Sequence, residues 1–256
     1  MLTSGRSHAP LPQWDPALSA DGRFLAFRGY YRPYAEGDYA LYVLNLRHTT
    51  WRRVTRSIAS GPSWSPSGRW IAFDTSGGGE IWKVRASGDG RPVRLTRRHG
   101  VGDVTPGWSP DGRLIAFARI ALHRPAQIWV MHPDGRKAQL VHADRRLPDM
   151  SPAWSHDGSR IAFVAGNGNQ SRIEVMSANG RHARRLTNSS LAAWNPVWLP
   201  DDTGIAFLGS HSGYGKGNVF VMRPDGSHIH QLTHWRGSAE TEQFAWVGAR
   251  YRYGRA

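Results

Sequence analysis

Twelve histidines and nineteen acidic residues are spread along this 256-residue chain without the spacings that catalysis requires. A zinc hydrolase would place two histidines on one helix face around a glutamate, and no His-Glu-x-x-His occurs. A serine nucleophile raised on a Gly-x-Ser-x-Gly elbow is missing, and so is a glycine-rich phosphate loop. The glycine-rich stretches at 77–79 and 213–217 read as connections. His228 and His230 alternate beside a turn and read as exposed to solvent. No two carboxylates stand out as a general acid and base. The absence of cysteine excludes disulfides and thiolate-bound metal, and leaves the redox compartment open. Asn188-Ser189-Ser190 matches a glycosylation acceptor, a pattern short enough to arise by chance. The expectation is a protein that is not an enzyme and carries no cofactor and no metal.

Binding chemistry is better represented. The 33 basic residues leave a formal charge of +14, and only Lys83, Lys137 and Lys216 among them are lysines. Such an excess favours anionic partners, whether nucleic acid, lipid headgroup, acidic polysaccharide or acidic protein; the bland alternative is a solvated basic surface. Aromatics lie close to arginines in several irregular stretches, a combination suited to carbohydrate, peptide or unstacked bases.

These residues hang on a repeat. LSADGRFLAF, WSPSGRWIAF, WSPDGRLIAF, WSHDGSRIAF and WLPDDTGIAF begin at Leu18, Trp64, Trp108, Trp154 and Trp198, at spacings of 46, 44, 46 and 44. Each reaches a phenylalanine nine residues on: Phe27, Phe73, Phe117, Phe163 and Phe207. A second segment follows in every unit (LYVLNL, IWKV, IWVM, IEVM, VFVM), then a short closing strand such as Leu95-Thr96 or Leu186-Thr187. Short runs of Val, Ile, Phe and Trp bounded by Gly, Pro, Asp and Asn are strands, four to a unit. Asp-Gly and Asn-Gly pairs supply the positive φ of tight hairpins. In the fifth unit Asp202 stands where glycine is expected, a tolerable but costly choice. A four-stranded sheet this small cannot bury both faces alone, and stacking such sheets around an axis is the propeller solution.

The pattern W-S-P-D-G-x-x-I-A-F, then I-W-V-M-x-P-D-G, then L-T, resembles the repeat of the TolB propeller family. The resemblance covers residues ~16–233 and restarts at Trp246. It implies an all-β propeller of four-stranded antiparallel blades, and it says little of function, since such propellers serve as periplasmic binding proteins, as non-catalytic domains of peptidases and as some lyases. A single domain over residues 1–256 is expected, with repeat starts near 16, 62, 106, 152, 196 and 244. Five units are complete. Trp246 should open a sixth, and residues 1–14 could lend it a strand, so six blades with the last split between the termini are expected, with five as the alternative. An incomplete blade would leave an edge open to another chain, hence a homo-oligomer or filament.

Strand order separates two ends. One carries the repeated turns, whose Asp and Gly residues build the fold; Arg23, Arg69, Arg113 and Arg160 after the first turn would form a basic ring there. The other varies from unit to unit, as binding loops on a scaffold do. Its candidates are Tyr30, Tyr34, Arg124, Trp194, His211, Tyr214 and Trp235, with the alternative that the aromatics pack their own loops. The residue ahead of each inner-strand proline should reach the central channel: Asp15, Gly61, Thr105, Ser151 and Asn195, with Gln243 as the sixth. By the family resemblance, the channel mouth is where partner segments or ligands dock, which makes Asp15, Thr105, Ser151, Asn195 and Gln243 binding candidates; the alternative is a water-filled channel.

The reading is a non-enzymatic binding or scaffold propeller that engages a protein or peptide through its variable loops or channel mouth. A self-assembling subunit and a carbohydrate or polyanion binder are the alternatives. No stretch approaches the ~18–20 apolar residues of a membrane helix, so no integral membrane segment is expected. The residues at the N-terminus lack the apolar core of a signal peptide; the resemblance suggests a periplasmic or extracellular setting, and the cytoplasm stays open.

Overall fold

Alternating apolar runs cut by Asp-Gly turns can only fold as short antiparallel strands, and this is what the chain does. The computed structural model describes residues 11–30, 39–56, 59–75, 79–97, 100–212 and 217–234. They form five four-stranded sheets, each from consecutive strands. Blade 1 is β1 (Leu11–Leu18), β2 (Phe24–Tyr30), β3 (Ala40–Asn45) and β4 (Thr50–Arg53). Blade 2 is β5 (Ser60–Trp64), β6 (Trp70–Asp74), β7 (Ile81–Arg85) and β8 (Val93–Arg94). Blade 3 is β9 (Val101–Trp108), β10 (Ile115–Ala121), β11 (Arg124–Met131) and β12 (Gln139–His142). Blade 4 is β13 (Asp149–Trp154), β14 (Arg160–Ala165), β15 (Arg172–Ser177) and β16 (Arg184–Arg185). Blade 5 is β17 (Ala192–Trp198), β18 (Ile205–Ser210), β19 (Asn218–Met222) and β20 (His230–Gln231). Among the described residues no helix is long and apolar enough to cross a membrane.

The six-bladed expectation is corrected: the described residues form five blades. Residues 11–14, expected to help build a sixth, are instead the first half of β1, where Leu11, Pro12 and Trp14 pair with Tyr30, Gly29 and Arg28. A strand hydrogen-bonded inside blade 1 cannot also serve another blade. The split-blade route to self-association falls with it. Trp246 and Gln243 lie outside the described residues.

Burial explains the packing. Within each second strand one apolar residue faces the preceding blade and its neighbour faces the next. Phe73 of blade 2 packs against Ala26, Leu41 and Val43 of blade 1. Phe117 of blade 3 packs with Ala72 and Ile81 of blade 2. Phe163 joins Ala118 and Ile128 of blade 3, and Phe207 joins Ala162 and Val175 of blade 4. The end faces keep clusters of their own, Phe27 with Tyr42 on blade 1 and Ala206 with Val221 on blade 5.

Polar groups repeat with the same period. The repeat tryptophans reach back one blade: the indoles of Trp64, Trp154 and Trp198 donate to the carbonyls of Ala17, Gly107 and Ala153 at 2.9, 3.2 and 3.1 Å. The closing threonines take up an N–H of the first or second residue of the third strand. Thr55, Thr96, Thr187 and Thr233 accept from Leu41, Ile81, Ile173 and Val219. Asp202 does hold the left-handed conformation, with φ of 55°. Its carboxylate accepts the backbone N–H groups of both His156 and Asp157 at 2.8 Å, so it ties blade 5 to the turn of blade 4.

Candidate functional site

Every innermost strand breaks its ladder at the same point. Register shifts fall between Trp14 and Ala17, Ser60 and Ser63, Met150 and Ala153, and Trp194 and Val197, and opposite Ala116 and Ala118 in blade 3. At each break stands a residue with φ between 51° and 57°: Asp15, Gly61, Thr105, Ser151 and Asn195. Each precedes a proline. Proline cannot donate to the ladder, and a left-handed residue before it turns the strand, so the pair makes a β-bulge. Four of the five are not glycine, and holding each there costs about 1–3 kcal/mol. Local bends of this kind aim side chains inward from the inner edge of a sheet. The inner strands also crowd one another; a Cβ on Gly107 would meet the Pro152 carbonyl oxygen at 2.8 Å.

Two carboxylates stitch the first bulges together. Asp15 Oδ2 accepts the N–H of Gly61 at 3.1 Å, and Asp74 Oδ2 accepts the N–H of Thr105 at 2.9 Å. Asp74, at the end of β6, is a site residue that the repeat pattern conceals, because its equivalents are Arg28, Ala118, Val164 and Leu208. The only signal was that an acid stood in a column otherwise held by one arginine and three apolar residues. Burial pushes the Asp74 carboxyl up to about 6; the Thr105 N–H and Arg28 oppose this, and Asp15 adds to it.

A second buried acid, Asp149, opens β13. Its counterpart one blade back, Asp103, is held by Arg119 through two hydrogen bonds of 2.6 and 2.9 Å, with the guanidinium 4.3 Å from the Trp129 ring centroid. In blade 4 the arginine's place is taken by Ala165. Asp149 is fully buried, accepts the Asp144 N–H at 3.1 Å, and has His142 Nε2 3.9 Å away. Burial raises its carboxyl to about 7; the Asp144 N–H and Arg172 oppose the rise, and the Asp144 and Glu174 carboxylates add to it. Burial lowers the His142 imidazole. A raised carboxyl can act as a general acid, but no solvent reaches this one, so it has no route to a substrate.

The remaining expected residues divide. Tyr34, Tyr214, Trp235 and Gln243 lie outside the described residues, and Tyr30 ends β2. Arg124 is exposed at the start of β11. Trp194 is corrected: it is 4% exposed in the core between blades 4 and 5, with Gly217 packed against its ring, and offers no surface to a ligand. His211 is exposed, with Nδ1 2.9 Å from the Ser190 carbonyl and its ring against Phe220. Of the basic ring, Arg23, Arg69 and Arg113 project from the turn tips. Arg160 does not join them. It opens β14, the position held by Phe24 in β2 and Trp70 in β6.

Five sequential four-stranded blades, bulged alike along their inner edges, define a β-propeller of the repeat-built kind. The TolB beta propeller domain model matches residues 89–249, more than half of the chain. The chain belongs to the TolB β-propeller domain family. Among solved structures it is similar to a putative TolB from Agrobacterium tumefaciens, with TM-score 0.73, 23% identity, and 88% of this chain and 81% of that one covered. It is similar to TolB from Acinetobacter baumannii at TM-score 0.70 and 21% identity, over 84% of this chain and 53% of that one, so it spans about half the length of that protein. An oligogalacturonate lyase in complex with manganese aligns at TM-score 0.63 and 15% identity, over 88% and 65%. At these identities the likeness is one of fold. No curated protein matches the sequence.

Proposed function

We propose that this chain is a non-catalytic propeller that holds a protein or peptide segment at the inner edge of its blades. What carries the reading is the row of five left-handed X-Pro bulges. A strained conformation repeated blade after blade puts small residues, four of them polar, at equivalent inner-strand positions, and strain of this kind gathers where ligands are held. A peptide would meet the half-buried hydroxyl and amide groups of Thr105, Ser151 and Asn195 there, and an extended segment can use them through its own backbone. The family resemblance supports the same place and a periplasmic or extracellular setting.

A peptide display library selected against the purified chain, followed by calorimetric titration of the best binder, tests this. Ser151→Gln, which lengthens one side chain at the bulge row, should weaken binding at least tenfold while the melting temperature shifts by only a few degrees. Arg113→Gln, at a turn tip, should leave affinity unchanged. Equal affinity for Ser151→Gln and the unaltered chain would place the binding elsewhere.

A further inference from the structure

A cleft of about 410 Å³ lies between blades 4 and 5 at the turn end, lined by Arg160, Arg184, Thr203, Arg223, Pro224 and Asp225. It exists because two positions of the repeat depart from the pattern. Where blade 2 has Trp70 ahead of Ile71, blade 5 has Gly204 ahead of Ile205, so the space next to the turn is not filled by a ring. A side chain there is barred, since a Cβ on Gly204 would sit 2.8 Å from a Leu199 methyl carbon and 3.0 Å from the Met222 carbonyl oxygen. In blade 4 the same position is Arg160, which places a cation at the cleft wall.

Three guanidiniums line this cleft against one carboxylate, which leaves it net positive. Arg184 donates to the carbonyl oxygens of Pro224 at 2.8 Å and Asp225 at 3.0 Å. Carbonyls position the guanidinium and leave its full charge in place. It repeats a staple seen elsewhere, Arg52 to the Ala86 carbonyl at 2.8 Å and Lys83 to that of Pro133 at 2.7 Å. Arg160 is held over the Trp198 ring, 4.4 Å from its centroid. Among the described residues neither Arg160 nor Arg223 forms an ion pair with a carboxylate. The lining carboxylate, Asp225, is turned into its own hairpin, where the Ser227 hydroxyl and N–H donate to it at 2.7 and 2.9 Å. At the equivalent place in blade 2, Lys83 and Arg85 lie against the Trp70 ring, 4.8 and 5.1 Å from its centroid. Between blades 4 and 5 that ring is absent, and three guanidiniums converge on open space with two of them already oriented. Planar, preoriented guanidiniums fit the oxygens of a doubly charged oxyanion, and holding them in advance lowers the ordering cost of binding.

We infer that this cleft is a binding site for a doubly charged oxyanion of the phosphate monoester type, separate from the bulge row. Inorganic phosphate, glycerol phosphate and succinate are the probes, titrated calorimetrically against the whole chain at low ionic strength. Inorganic phosphate and glycerol phosphate should bind at one saturable site, with affinity falling as salt is raised. Arg223→Gln and, separately, Arg160→Gln should each weaken binding at least fivefold with unchanged melting temperature in the absence of ligand. Arg113→Gln, on the same face outside the cleft, should bind as the unaltered chain does. Succinate binding as tightly as phosphate would overturn the phosphate assignment. Unsaturable binding, or equal weakening by Arg113→Gln, would show a diffuse charge effect and overturn the site itself.

Discussion

At the scale of single residues, the repeat is a set of hydrogen bonds whose exceptions can be measured. Trp198 donates to the Ala153 carbonyl, whereas the buried Trp108 indole nitrogen has no acceptor among the described residues. A buried hydrogen bond contributes about 1 kcal/mol net, and a buried donor without a partner costs energy rather than supplying it. Trp198→Phe should therefore destabilise by about 1 kcal/mol more than Trp108→Phe in urea unfolding. Asp202 shows the converse. It looked like a costly stand-in for glycine, yet its carboxylate caps two N–H groups of the neighbouring blade. Hydrogen bonds to a charged group contribute about 1.5–3 kcal/mol, so Asp202→Gly should lose on the order of 2 kcal/mol despite easing the backbone. An unchanged urea midpoint would mean that the clasp is incidental.

At the scale of elements, blades 3 and 4 carry two acids in equivalent positions with opposite fates. Asp103 is paired with Arg119, whereas Asp149 stands opposite Ala165. Asp149 at about 7 and Asp74 at about 6 both hold a proton more tightly folded than unfolded. Their contribution is most favourable at acid pH and is lost as pH rises from the unfolded carboxylate range through 6 and 7. The turn acids act oppositely. The Ser155 hydroxyl first, then the Ser159 N–H and hydroxyl, hold Asp157 down to about 2, a stabilisation lost only on acidification below 4. The His142 imidazole, lowered by burial, works against Asp74 and Asp149 as pH falls through its ordinary range; with two raised carboxyls against one imidazole, melting temperature should rise as pH falls from 8 to 5. Asp149→Asn should flatten that slope and raise stability at pH 8 by on the order of 1–3 kcal/mol, since each tenfold change in proton affinity on folding is equivalent to about 1.4 kcal/mol. A slope unchanged in Asp149→Asn would mean that the carboxyl ionises freely.

The blades themselves were legible because their cause is local. Asp-Gly turns, alternating apolar runs and closing Thr residues each state their role within a few positions, and all five blades, their strand order and the left-handed Asp202 follow from them. Four of the five inner-edge positions were legible as polar residues ahead of proline and the fifth as Gly61, but not that they bulge, since a positive φ before proline is visible only in the ladder it interrupts. Asp74 and the cleft at Arg160 were hidden for a different reason. Both arise between blades, from what a neighbour lacks, and a repeat read one unit at a time averages such differences away. Trp194 was misplaced because an aromatic near a loop looks alike whether it faces solvent or core.

At the scale of the whole molecule, the two ends do different work. At the turn end Arg52, Lys83 and Arg184 are held by backbone carbonyls of the next blade, which position them without neutralising them. The inner edges carry the bulges and the buried Asp15 and Asp74. The proposed partner segment sits along those edges, on a scaffold built by the repeats. Hydrogen–deuterium exchange on the chain with and without a selected peptide tests this placement most directly. Slowed exchange is predicted only at residues 13–17, 59–63, 103–107, 149–153 and 193–197, with the turn tips at 20–22, 66–68 and 110–112 unchanged. Protection confined to the turn tips or outer strands, with the inner strands untouched, would contradict it.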